Sequence, residues 1–163
     1  MGRVVERTIW LLVVLLLTGA FSGGCQAGKQ SLPFRSVPDP GTWGLASSEA
    51  TYLVVTEKNW QAYYPTPPAG ADFQSNFYVV ASWGVKPNPG YRISIRGIEQ
   101  AGLRVEVKVS LEEPDPGKVY PQVLVHPLAV AEVKEDALRQ HGLLTFEFLD
   151  QRGKQLALAE VEL

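Results

Sequence analysis

A mainly β fold is what this sequence predicts: a β-rich α+β chain forming an antiparallel sandwich or partly open barrel, with one or two short helices. Three observations carry the expectation. Residues 103–111 alternate, with Leu103, Val105, Val107, Val109 and Leu111 on one side and Arg104, Glu106, Lys108 and Ser110 on the other. That is the period-2 pattern of a half-buried strand. Residues 77–81, Phe-Tyr-Val-Val-Ala, are instead apolar at every position, as suits a central strand covered on both faces. Turn signals rich in Gly, Pro and Asp, such as Pro38-Asp39-Pro40-Gly41 and Pro114-Asp115-Pro116-Gly117, cut the rest into short segments.

Residues 1–24 read as a targeting segment. Arg3 and Arg7 precede an apolar run at 9–17 that is too short to span a bilayer, and Ser22-Gly23-Gly24 lead into Cys25. Cys25 is the sole cysteine, so an internal disulfide is excluded. The arrangement resembles a bacterial lipoprotein signal, which implies cleavage before Cys25 and lipidation of that residue. Several acyl chains would then anchor the protein firmly. Gln26 after the cysteine favours the outer membrane where two membranes are present. The expected location is the cell envelope, facing outside the cytoplasm. Loss of Arg3, Arg7 and Glu6 moves the net charge from −2 to −3, which gives nucleic acid no electrostatic attraction.

The expected organisation is a signal peptide at 1–24, a lipidated tether at 25–33, a β domain at 34–133, and a helical turn with a β-hairpin at 134–163 on the same domain. Residues 34–37 suit a short first strand, Trp43 opens the core, and 52–55 form a strand. Thr56 reads as the N-cap of a helix over 57–64 that ends at Pro65 and shares one face between Trp60 and Tyr64.

The loop that follows the 77–81 strand is the main candidate site. Trp83-Gly84-Val85-Lys86-Pro87-Asn88-Pro89-Gly90-Tyr91 places two prolines between two glycines, with an aromatic at each base. Pro fixes φ, and Gly supplies the unusual backbone at either end. Such a loop is either a tight connection whose aromatics cap the core, or a rigid recognition element that loses little entropy on binding. The residues of its contact surface are Trp83, Lys86, Pro87, Asn88, Pro89 and Tyr91, with Gly84 and Gly90 holding the shape.

Beyond it, Arg92, Ser94 and Arg96 alternate with Ile93 and Ile95, then pair with the 103–111 strand in a hairpin. Pairing Ile95 with Val107 puts Arg96 opposite Glu106 and leaves Ile98 out of phase, so a β-bulge is expected at Gly97-Ile98. Glu112, Glu113 and Asp115 form an acidic turn without the spacing of a calcium loop. Residues 123–125 and 128–133 read as a strand interrupted at His126-Pro127, hence at an edge or bulge. Residues 135–141 suit a short helix capped by Gly142, and 143–149 with 155–163 form a closing hairpin around Asp150 and Gly153.

The Trp60 helix, Asp72-Phe73, the apolar strand, Gly84-x-x-Pro87-x-x-Gly90-Tyr91, the 114–117 turn and His126-Pro127 occur in an order that resembles the C-terminal domain of PrcB-type protease-complex subunits, over roughly 34–133. The family is named for a non-catalytic subunit of a bacterial surface protease complex. The resemblance implies no catalytic residues.

Enzyme motifs are absent as well: the sequence contains no G-x-S-x-G, H-E-x-x-H, C-x-x-C or P-loop. His126 and His141 read as core or surface histidines. No catalytic residue, metal or cofactor is expected. The leading expectation is a non-catalytic, lipid-anchored protein-binding module, an accessory or regulatory subunit of an extracytoplasmic complex, with an envelope or secreted protein such as a protease as partner. An inhibitor that plugs a protease cleft is a variant of this. The alternative is a small-molecule or glycan-binding envelope lipoprotein that uses Trp43, Trp60 and Trp83 as stacking platforms, which requires the three to line one exposed cleft. A purely structural envelope lipoprotein is the third reading.

Overall fold

The computed structural model describes residues 28–38, 40–45 and 47–163. The expected signal peptide at 1–24 and the expected lipidation site, Cys25, lie outside the described residues. Among the described residues, nine strands form two sheets packed as a sandwich, and neither sheet closes into a barrel. The strands are β1 (Gln30–Ser31), β2 (Phe34–Ser36), β3 (Thr51–Val55), β4 (Asn76–Ser82), β5 (Arg92–Ala101), β6 (Arg104–Glu112), β7 (Leu128–Lys134), β8 (Leu143–Leu149) and β9 (Gln155–Glu162). The five-stranded sheet runs β1-β5-β6-β8-β9, and the four-stranded sheet runs β2-β7-β4-β3. All neighbours are antiparallel except β6 and β8, which pair in parallel with Arg104 opposite Thr145.

Residues 77–81 are fully buried, as the unbroken apolar run predicts. Phe77, Val79 and Ala81 point into the core between the sheets, where they meet Ile98, Val105, Val107, Leu144, Phe146 and Phe148. Tyr78 and Val80 point outward beside Val130 of β7, yet a second apolar layer with Trp43 and Tyr64 covers them. Trp60 and Phe73 lie at the margin of that layer, stacked at 5.9 Å and 5°. The Trp43 ring lies 4.5 Å from that of Tyr78, and the Tyr64 hydroxyl donates to the Trp43 carbonyl at 3.2 Å.

The β5–β6 hairpin buries Val105, Val107 and Val109. Its register differs from the expected one by two residues: Ile95 faces Val109, and Ile98 faces Val107. The bulge lies between Ile95 and Gly97, so Arg96 is the extra residue. It restores Ile98 to the core side and sends Arg96 to Glu112, at 2.9 Å, instead of Glu106. Leu103 does not point inward. It sits in the hairpin turn and is 51% exposed.

Four further expectations are corrected. The helix over 57–64 is a single 3-10 turn, Trp60–Ala62. Asn59 accepts from the Thr56 N–H at 2.8 Å and donates to the Val54 carbonyl at 2.9 Å, so a side chain closes the turn where a Thr56 cap was expected. A stretch of about eight residues also falls short of the length at which helix propagation outweighs nucleation. The helix over 135–141 is likewise one 3-10 turn, Glu135–Ala137. Within the expected tether, Gln30 and Ser31 pair with Gln100 and Glu99 of β5, and Leu32 is buried. Finally, Pro127 precedes β7, which is an interior strand between β2 and β4. The 123–125 segment makes only one bridge, Val125 to Lys86.

Candidate functional site

The 83–91 loop leaves β4 at one end of the sandwich and is pinned on both flanks by backbone hydrogen bonds. Trp83 N–H donates to the Pro127 carbonyl at 3.0 Å and Val85 N–H to the Ser48 carbonyl at 3.0 Å. Lys86 and Val125 exchange a reciprocal pair at 2.8 and 2.9 Å. Three segments distant in sequence, 48–50, 83–91 and 113–127, therefore meet here.

Gly84 and Gly90 are there because nothing larger fits. Gly84 has φ +71°, and a Cβ would lie 2.4 Å from the Ser48 carbonyl oxygen. A Cβ on Gly90 would meet Pro114 Cβ at 2.8 Å and Tyr120 Cε1 at 2.9 Å. The glycines let the loop seat directly on its two neighbours.

The loop's side chains divide into two groups. Trp83 and Tyr91 meet edge to face at 5.5 Å. The Lys86 ammonium lies 4.8 Å from the Trp83 ring centroid and 5.9 Å from that of Tyr91, within the range of cation–π attraction. These three residues form one half-buried cluster that holds a positive charge on an aromatic seat. Pro87 and Pro89 are exposed at the tip. Asn88 uses its side-chain oxygen within the loop, accepting from Gly90 N–H at 3.0 Å.

Beside the loop the structure exposes residues that sequence reasoning did not select. Val119 is completely exposed, Leu124 72% and Val123 58%. The sequence places 123–125 in a strand. The signal against a longer strand was Pro121 and Pro127 on either side, which limit how far a ladder can run. A cleft of about 290 Å³, lined by Gly44, Leu45, Ser82, His126 and Leu128, opens next to this apolar stretch.

The acidic turn is occupied by its own contacts. Glu112 binds Arg96, and Asp115 accepts from Gly117 N–H at 2.9 Å and faces Lys118 at 3.6 Å. Among the described residues, no group of three or more His, Cys, Asp or Glu is placed to hold a metal. The three tryptophans do not line one exposed cleft. Trp43 is 1% exposed and Trp60 is stacked against Phe73, both on the outer face of the four-stranded sheet. Trp83 stands apart with Tyr91. The arrangement required for a tryptophan-lined glycan site is not there.

Burial pushes the Tyr64 hydroxyl up to about 12 and raises those of Tyr78 and Tyr52. All three belong to the packed layers and not to the loop.

Residues 77–134 match the family described as PrcB C-terminal. The match starts in β4, takes in the 83–91 loop, the β5–β6 hairpin and the 113–127 segment, and ends with β7. It begins later than the resemblance expected from residue 34. No curated protein and no solved structure matches the chain. The segment that builds the loop end of the sandwich, 77–134, is thus a PrcB C-terminal domain.

Proposed function

We propose that this protein is a non-catalytic, lipid-anchored binding module outside the cytoplasm, an accessory or regulatory subunit that holds a protease or another envelope protein through its loop end. The PrcB C-terminal match suggests association with a protease complex. The observation that carries the binding role is the pre-built loop. Its backbone is fixed by four hydrogen bonds to neighbouring segments, so little conformational entropy remains to be lost on association. It presents Trp83, Lys86 and Tyr91 as one cluster, and aromatic residues are favoured interface anchors. Lys86 and Arg92 make no ion pair with a carboxylate among the described residues, which suits an acidic partner surface. The exposed apolar residues Val123 and Leu124 extend the same surface.

The test is affinity capture of the tagged full-length protein from detergent-solubilised membranes, with the native loop and with Pro87/Pro89→Gly. Both prolines are exposed, so the double variant should melt within a few degrees of the native protein while losing most of the captured partner. Stoichiometric recovery of a protease with the native loop alone supports the reading. Equal recovery by both forms makes the loop a connector.

A further inference from the structure

The end of the sandwich opposite the loop is where the described chain emerges. Gln30 pairs with Gln100, and β1 runs antiparallel to β5. Gly28 and Lys29 therefore lie beside the 102–103 hairpin turn. Gly28 lines a cleft of about 220 Å³ together with Gln100, Gly102, Arg139 and Gln140. Strands β6 and β8 leave this end side by side in parallel, and Thr145 N–H donates to the Leu103 carbonyl at 2.9 Å. Leu103 and Leu143 are consequently neighbours at the same end, 51% and 55% exposed. Arg139 is exposed beside them, and its guanidinium pairs with no carboxylate among the described residues. The β5 strand, Arg92–Ala101, separates this end from the loop by about 30 Å at ~3.3 Å per residue.

We infer that this end is a membrane-facing surface, with Leu103 and Leu143 set into the interface of a lipid bilayer and Arg139 meeting lipid phosphate. The inference rests on the lipid-anchor reading, and the argument for a bilayer as the occupant is the point of chain exit. Cys25 is three residues before Gly28. At ~3.6 Å per residue, a lipid carried there is held within about 11 Å of the exit point. So short a link leaves no room for the domain to stand off, and Leu103 and Leu143 are large exposed apolar side chains at this end. Apolar residues beside a cation at the headgroup level add to an acyl anchor as a second membrane signal. The loop then points away from the membrane, where a partner has access.

The test uses the full-length lipidated protein reconstituted in vesicles of phosphatidylcholine and phosphatidylglycerol that contain spin-labelled lipid. A fluorophore is placed on Leu103→Cys, on Leu143→Cys, or on Pro89→Cys at the opposite end. Cys25 is the sole native cysteine, so with its sulfur lipidated the introduced thiol is the single reactive one. Labels at 103 and 143 should be quenched several-fold more than the label at 89. If the protein floats with the vesicles but the three labels are quenched alike, the anchor stands and the surface is overturned. Protein that fails to float overturns both. Self-quenching at 103 and 143 without lipid quenching assigns the surface to a second copy of the chain and likewise overturns the membrane proposal.

Discussion

The four-stranded sheet buries side chains on both faces, whereas the outer face of the five-stranded sheet is open to solvent and laced with ion pairs. On the first, Trp43, Tyr64, Tyr78, Val80 and Val130 form a second apolar layer outside the core. On the second, Glu106 meets Lys29 at 2.7 Å, Glu147 meets Arg104 at 2.6 Å, and Glu99 meets Lys108. The difference explains two patterns in the sequence. Residues 77–81 of β4 are apolar at every position because both faces of the strand are covered, and β6 alternates because one face is wet. It also determines where stability resides. Burying an aromatic side chain contributes several times more than an exposed ion pair, which is worth ~0.2–1 kcal/mol.

Replacing the largest covering side chain should break the contrast most clearly. Trp43→Ala removes a 1%-exposed ring packed on Tyr64, Phe73 and Tyr78, and should cost about 3–5 kcal/mol in urea unfolding. A loss under about 1 kcal/mol would mean that the outer layer is a surface decoration. Gly84→Ala comes next. It combines a left-handed backbone with a contact to backbone atoms that cannot step aside, for a cost of about 2–3 kcal/mol. Unlike the Pro87/Pro89→Gly variant, it should displace the loop and lower the melting temperature together.

Alkaline titration sharpens the same comparison. In the folded protein Tyr64 ionises near 12, against about 10 in the unfolded chain. The folded state therefore holds its proton where the unfolded state has lost it. The stabilisation is fully present below about pH 10 and is lost as pH rises towards 12, on the order of 2–3 kcal/mol. Tyr64→Phe should flatten that part of the alkaline unfolding curve, leaving the contributions of Tyr78 and Tyr52, which burial also raises. An unchanged curve would place Tyr64 in solvent.

The smallest effect belongs to the open face. The hydrogen bond from Lys108 holds the Glu99 carboxyl below its ordinary value. That stability is present above the unfolded carboxylate range, near 4.3, and is lost as pH falls through the lower folded value. Lys108→Ala should cost less than about 1 kcal/mol at neutral pH and should reduce the acid dependence in that window. A larger loss in high salt than in low salt would contradict an ion-pair origin.

Much of the fold was legible because its signals are local. The alternation of Val105, Val107 and Val109 and the unbroken run from Phe77 to Ala81 announced their burial directly. The 143–149 segment was legible as a strand of the closing hairpin. The loop residues were legible as a rigid unit, since Pro and Gly act on their own backbone. The two-residue strand β1 was not, because so short a segment has no period to detect. Nor was the register of β5, where Ile95 pairs two residues away from the expected partner and the bulge at Arg96 shifts the pairing by one more. Helix signals at Thr56 and Glu135 were overruled by side-chain bonds and by segment length. Val123 and Leu124 read as strand residues, and Val119 carried no local signal. Their exposure beside the loop depends on where 113–127 is laid by the rest of the chain.

By itself, the sequence determined the longer strands, the inward side of β6 at Val105, Val107 and Val109, and the principal turns. These follow from backbone geometry and a period of two residues, and both operate over a few neighbours. Only the tertiary structure decided that β8 lies parallel to β6, that Trp43 covers Tyr78, that Lys86 bonds to Val125, and that the loop and the chain exit stand at opposite ends. Those arrangements join residues tens of positions apart. They arise from burying two apolar faces of one sheet at once, a demand that no local stretch of sequence expresses.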